Sequence, residues 1–256
     1  MAVLNWDHTM INVQNVDQAA RFFGDHGIVF ARGGRHEKWG TENALGYFGL
    51  NYIELISVYD EARAKNFPRA GASAVYDAVH DYEQNVQRIN TLAIRTSDIE
   101  ATHARLKQAG VPAGDIEVGK RLDEQGHLIT WSIFFIDGTI DGLPYPFFIQ
   151  WQGSDETREQ KLKDQGLIVS HPAGDLLARQ AVFHVPDPEK AATIWGQLLD
   201  GQSEKTAAEY RIQLQDRQLI FKQGSENHIV QLNFDGAGDS LKHQTLVFDQ
   251  IKFAFN

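Results

Sequence analysis

The sequence predicts an α+β fold built from a repeated strand–helix–strand–strand–strand unit. Three observations predict it. The element order recurs along the chain, the first two helical stretches each have a candidate capping residue and a glycine stop, and one polar residue recurs in the last strand of each copy. The recurring tetrads are Tyr52-Ile53-Glu54-Leu55, Phe148-Ile149-Gln150-Trp151 and Ile229-Val230-Gln231-Leu232. A polar group in a buried strand is unfavourable unless something satisfies it, so an acid or its amide at the third place of each tetrad points to a shared role.

The first copy spans about residues 5–60. Residues 6–13 are rich in β-formers, and Val16, Ala19, Ala20 and Phe23 then recur at helical spacing. Asn15 or Asp17 is placed to cap that helix and Gly27 to stop it. IVFARG, ALGYF and YIELISV follow as short strands, and a polar connector over roughly 60–87 leads on. The second copy, about 87–152, opens with the strand RINTLAIRT and the helix SDIEATHARLKQAG, with Ser97 or Asp98 as cap and Gly110 as stop. IEVGKR, HLITWSIFFI and PFFIQW are its strands, and DGTIDGLPY between them reads as a turn. Together, residues 1–152 form a pair of units. Residues 153–172 are strongly polar and read as an exposed, partly helical connector. Residues 173–256 hold a third, weaker copy, with the strand LARQAVFHV and a helix with Pro188 in its first turn. YRIQLQ, RQLIFKQ and HIVQLNF supply its strands, and QTLVFDQIKFAF reads as one closing strand.

Bulk properties narrow the function. At 256 residues with 42% apolar and 23% charged residues, the chain can bury a sizeable core. A net charge of −10 argues against a nucleic-acid partner, though a small anion in a local pocket is compatible with it. The chain has no cysteine, which excludes disulfides, thiolate zinc sites and cysteine nucleophiles. The opening MAVLNWDHTM lacks the basic region and apolar run of a signal peptide, and no apolar stretch is long enough to span a bilayer. The expectation is a cytoplasmic protein with a small-molecule substrate or ligand and no membrane partner.

The stretch GGRHEKWGTENALGYF, residues 33–48, carries more chemistry than a turn needs. Gly33, Gly34 and Gly40 permit tight backbone turns. Read as a loop over a pocket mouth, it offers His36 as an acid, base or ligand, Thr41 and Asn43 as donors to a substrate carbonyl, and Trp39 as a wall. Read as a turn, the same side chains bond the loop to itself. Sequence leaves these two readings open. On the first strand His8 alternates with Trp6, Met10 and Asn12, and Glu54 sits among apolar neighbours where a carboxylate seldom lies unpaired.

Tandem βαβββ units, Trp6-Asp7-His8, GGRHEKWGTENAL, YIEL and PFFIQW together resemble the glyoxalase-like domain branch of the vicinal oxygen chelate superfamily, which includes glyoxalases, bleomycin-resistance proteins and ring-cleaving dioxygenases. The resemblance covers residues 5 to about 152 well and the rest poorly. It implies that paired units form cupped mixed sheets around a divalent metal held by first- and fourth-strand residues. Carried over by position, the ligands are His8, Glu54 and Gln150; the remaining position falls on Thr91 or, one residue shifted, Asn90. Zn, Mn, Fe and Ni are not distinguished, and a metal-free form stays open. The implied activity is a metal-assisted lyase or isomerase acting on a small carbonyl compound with vicinal oxygens. In it Glu54 and His36 are catalytic, and Trp39, Thr41, Asn43 and Gln150 bind substrate. The alternative is a metal-free protein that binds or sequesters a small molecule on the same scaffold. Ring cleavage fits less well, because the ligand set is short of histidine.

Trp131, Phe134, Phe135 and Trp151 read as core or pocket wall, and His80, His103, His127, His171 and His243 as surface residues. His184 reads as core or surface rather than ligand. No nucleophile elbow, phosphate-binding glycine loop or zinc-protease motif occurs. A lone third unit would expose a sheet edge, which predicts a homodimer that covers it.

Overall fold

The computed structural model describes residues 2–122 and 128–256; His127 lies outside them. The first unit runs β1 (Leu4–Asn12), α1 (Val16–Asp25), β2 (Ala31–His36), β3 (Thr41–Phe48) and β4 (Asn51–Val58). A short α2 (Glu61–Ala64) and α3 (Ser73–Glu83) follow. The second unit runs β5 (Arg88–Thr96), α4 (Ile99–Gln108), β6 (Glu117–Leu122) and β7 (Leu128–Phe134). A two-strand hairpin of β8 (Thr139–Ile140) and β9 (Leu143–Pro144) precedes its last strand, β10 (Phe147–Trp151). In both units the first and last strands are parallel, β1 with β4 and β5 with β10. The antiparallel pairing of β1 with β5 joins them into one curved sheet. The sequence predicts each helix cap as one of two residues, and the structure selects one. Asn15 accepts from the amide of Gln18, and Asp98 from that of Ala101.

The rest of the chain departs from the expected third copy. After α5 (Asp155–Asp164) come β11 (Gly174–Val185), α6 (Pro188–Leu198), β12 (Ser203–Lys205), β13 (Tyr210–Leu214) and β14 (Arg217–Gln223). Here β11 is parallel to β14, so β14 is the last strand of the third unit. The tetrad with Gln231 lies instead on β15 (His228–Ala237), which pairs antiparallel with β11 and parallel with β17 (Ile251–Phe255). With β16 (Thr245–Phe248), these strands make a fourth unit lacking a helix. The run read as one closing strand is a hairpin, turned at Asp249 with φ 55°. The third unit's first strand is therefore paired within the chain. That removes the uncovered edge on which the expected homodimer rested.

Alternation decides what each sheet face buries. Ile53, Leu55, Ile94 and Phe148 point to the helix side and join one core with α1, α4 and α6. That core is continuous across both halves: Phe23 stacks on Phe253 at 4.7 Å, and Phe48 meets Phe234 at 5.1 Å. Met10, Ile56, Ala93, Phe147 and Ile149 point the other way, into the concave face, where Ala74, Val75 and Ala78 of α3 plug one end. The connector over 60–87 is thus a structural part of the cup. Among the described residues, no helix is long and apolar enough to cross a membrane.

The stretch 33–48 is mostly strand. His36 faces Thr41 at the end of a β2–β3 hairpin, and Glu37 to Gly40 make the turn. β2 is largely exposed, so it lacks the in–out alternation that would mark it as a strand. Gly40 holds φ +66°, and a Cβ there would sit 2.5 Å from the Asp60 carbonyl oxygen. Gly40→Ala is expected to destabilise the fold by about 1–2 kcal/mol, read as a lower urea midpoint with an unchanged slope.

Candidate functional site

The concave face holds a cavity of about 110 Å³. Its two walls differ in chemistry. The first unit lines it with His8, His36, Asn43, Tyr52 and Glu54, and the second with Trp131, Ile133, Phe135, Phe147, Ile149 and Trp151. A ligand with an apolar, flat part and an oxygen function matches this asymmetry.

The polar wall is built by a β-bulge. On β1, Trp6 pairs with Ile94 and His8 with Ala93, so Asp7 is the extra residue. A bulge re-aims side chains on either side of it. Trp6 therefore joins the helix-side core, while His8 and Met10 face the cavity. This corrects the expectation that Trp6 and His8 share a face. The Asn51 amide donates to the carbonyl oxygens of Trp6 and Asp7 at 3.1 and 3.0 Å, which satisfies the bulged backbone. The bulge lets two consecutive side chains meet: Asp7 Oδ1 lies 2.8 Å from His8 Nδ1.

Asp7 is fully buried. Burial opposes its charge, but the Arg158 guanidinium, the hydrogen bond from His8, the His8 charge and Arg95 together hold its carboxyl below the ordinary aspartate range. Arg95 Nη1 reaches it at 3.1 Å and the Trp151 indole N–H at 3.2 Å. An ionised Asp7 only accepts, so His8 Nδ1 carries the proton and Nε2 is the atom presented to the cavity. The ring is held flat against Tyr52 at 4.4 Å and edge-on to Phe147 at 5.3 Å. Burial, with the charges of Asp7 and Glu54, raises the Tyr52 phenol well above its usual range, so it stays neutral.

Glu54 closes the group. It is 9% exposed. Its Oε1 accepts from the Asn43 amide at 2.6 Å. His8 Nε2 lies 3.6 Å from Oε2, and His36 Nε2 3.9 Å from Oε1. Both gaps exceed a hydrogen bond. His36 is oriented by Thr41, whose hydroxyl lies 3.0 Å from Nδ1. Gly33 makes room for the Asn43 carboxamide, since a Cβ there would fall 2.1 Å from Asn43 Oδ1. The Trp39 ring lines the cavity, and its buried indole N–H has no hydrogen-bond partner among the described residues.

His8, Glu54, His36, Asn43 and Trp39 thus converge as expected. Thr41 and Gln150 do not reach the cavity. Thr41 is buried behind His36 and positions it. Gln150 shares the face of Phe148, one residue out of phase with Ile149 and Trp151. Its Oε1 accepts from the Ile99 amide at 2.8 Å and its Nε2 donates to the Ser97 carbonyl, at the start of α4. Thr91 donates to the Tyr145 carbonyl and Asn90 turns to Asp81. The metal-ligand set of His8, Glu54 and Gln150 therefore does not assemble. Among the described residues, no three His, Cys, Asp or Glu side chains are grouped to hold a metal ion. The second unit contributes apolar side chains where the resemblance requires donors.

The histidines read as surface residues need one correction. His171 is buried, its Nδ1 accepting from the Val29 amide at 3.0 Å and its Nε2 donating to the Tyr47 carbonyl at 2.8 Å. Burial lowers its pKa, so it is neutral. His184 is a surface residue paired with Glu226.

A family model for the glyoxalase-like domain matches residues 6–199. The chain belongs to that family. The match runs beyond the two units that carry the resemblance, into α6 of the third. No curated protein matches this glyoxalase-like domain chain in sequence. Among solved structures, a hypothetical protein from Staphylococcus aureus is 23% identical and superposes with a TM-score of 0.87, covering 99% of each chain. The Mn(II)-bound glyoxalase from Novosphingobium aromaticivorans is 11% identical, with a TM-score of 0.57 over 100% of this chain and 83% of that one. A mutant 4-hydroxymandelate synthase from Streptomyces coelicolor is 11% identical, with a TM-score of 0.51 over 92% and 71%. At such identities these structures show a shared fold.

Proposed function

We propose that this glyoxalase-like domain protein binds a small carbonyl compound with vicinal oxygens and moves a proton at its oxygenated carbon, as an isomerase or lyase does. The observation that carries this reading is the nearly buried Glu54 carboxylate, facing Nε2 of both His8 and His36 at 3.6 and 3.9 Å in a cavity with an aromatic opposite wall. Asn43 holds one Glu54 oxygen, and the other is directed at His8. Glu54 takes the proton from the carbon beside the carbonyl. The electron pair moves to the carbonyl oxygen, which takes a proton from Nε2 of His8 or His36 in its doubly protonated form; for His8, the Asp7 carboxylate at Nδ1 is the counter-charge to that form. Return of the first proton to the former carbonyl carbon, with the original hydroxyl giving its proton back to the imidazole as it becomes the new carbonyl, completes an isomerisation. The reading keeps the carbonyl substrate and omits the metal step, because the required donors do not converge.

Solvent exchange tests it. The protein is incubated with α-hydroxy ketones such as 2-hydroxyacetophenone in D2O, and loss of the α-proton signal is followed by NMR. The expected result is exchange above the buffer rate, unchanged by a chelator. Loss of exchange on chelation would restore the metal-assisted form. A second reading, binding without turnover, is supported by the wholly apolar second wall. Binding of these ketones with no exchange would establish it over the first.

A further inference from the structure

Beside the cavity lies a second cleft of about 100 Å³, and Tyr47 and Trp151 line both. Its chemistry is cationic. Arg158 and Lys161, one turn apart on α5, line it together with Thr130, Gln152 and Thr157, and among the described residues no acidic side chain does. In a chain of net charge −10, this is a local exception.

Arg158 is 9% exposed, and its guanidinium lies 4.2 Å over the Trp151 ring. Its polar contact is with Asp7 Oδ2, at a long 3.5 Å. A guanidinium carries five N–H donors in a planar fork, so among the described residues most of this one's capacity is unspent. Lys161 is exposed and makes no ion pair among the described residues, whereas Lys163 is taken by Glu159. A buried cation with spare donors beside a free ammonium is a receptor for an anionic group.

We infer that the second cleft is a subsite for an anionic head group, a carboxylate or a phosphate, on a ligand whose apolar body fills the adjoining cavity. This rests on the proposed reading of the cavity and adds the substrate class: a carbonyl compound that carries an anion at its far end. Trp151 is the hinge of the arrangement. Its ring stacks under Arg158, its N–H reaches Asp7, and its body walls the apolar side. A ligand spanning both spaces passes that ring.

The test is titration calorimetry of the whole chain with three probes: 3-phenylpropanoate, 3-phenylpropyl phosphate and the uncharged 3-phenylpropanamide. The anions are expected to bind at least about tenfold more tightly than the amide, and the tighter anion names the head group. Raising the salt to 0.5 M should shrink that preference. Lys161→Gln should reduce it about threefold with amide binding unchanged, and Arg158→Gln should remove it. Lys161 is exposed, so its substitution keeps the test valid even where Arg158→Gln disturbs the Asp7 cluster. Equal binding of anions and amide by the wild-type chain, or a preference that survives both substitutions, overturns the subsite and leaves the cavity reading standing. Failure of all three probes to bind at millimolar concentration overturns the subsite and leaves the cavity reading to the solvent-exchange measurement.

Discussion

Glu54→Gln is expected to slow α-proton exchange by roughly 10²–10⁴-fold, the usual contribution of a positioned general base. The substitution keeps the side-chain volume, and the new amide oxygen still accepts from Asn43, whose donor lies 2.6 Å from Glu54 Oε1. It removes the basic oxygen facing His8. Binding of ketone should therefore change little, within about threefold, while turnover collapses; that split between affinity and rate marks a group acting on the reacting proton. His8→Gln should lower the rate by a similar order, because Nε2 is the atom that Asp7 presents to the cavity. His36→Gln should have a smaller effect, since Nε2 is farther from Glu54 and the ring is about a quarter exposed. Wild-type exchange in Glu54→Gln would remove the carboxylate from the mechanism.

Asp7→Asn should cost roughly 3 kcal/mol of stability, the lower end of the range for removing one partner from a buried charge cluster. Its carboxylate is fully buried and faces Arg95 at 3.1 Å and Arg158 at 3.5 Å, themselves 11% and 9% exposed. Neutralising it leaves two guanidinium groups without that counter-charge. For a chain of this size the midpoint should fall by roughly 6–12 °C. The pH dependence has a defined sign. The folded pKa is depressed below the ordinary value near 3.8. Stability from the ionised form is therefore fully present above that value and is lost as pH falls through the folded one. The gap between wild type and Asp7→Asn should be constant from pH 8 to about pH 5 and close below about pH 4. Urea unfolding across that range measures it, and a gap that persists unchanged at pH 2 would show that Asp7 does not act through its charge. In the same variant His8 keeps its stack on Tyr52 but loses its ionised partner, so slower exchange should accompany the lower stability.

The pairing of His8 with Glu54 was legible through the family resemblance, which implies that first- and fourth-strand residues of one unit face the same cup; residue pattern alone left His8 a core histidine. Asn43 and His36 were legible through residue type, since an amide and an imidazole near glycines are unusual in a turn. Gln150 misled for a physical reason. Its tetrad matches that of Glu54 in composition, but one residue of phase puts it on the opposite sheet face, and composition does not report phase. The expected alternation of Trp6 with His8 failed at Asp7 because a bulge adds a residue to one strand only, which is visible when the partner strand is in place. Arg158 lay in a segment whose polarity reads as exposure. It is buried because α5 lays it over Trp151, and a long cation can bury its stem wherever a ring and a counter-charge receive it.

The sequence by itself determined the order of the main elements in the first two units and narrowed each of their helix caps to two residues. These depend on local periodicity and on chain neighbours. Only the tertiary structure decided that the donors of the second unit turn away, that a fourth unit covers the third, and that Asp7 binds two arginines 88 and 151 residues distant. Such outcomes are set by strand register and by charges brought together across the sheet. Neither is fixed until the strands have paired.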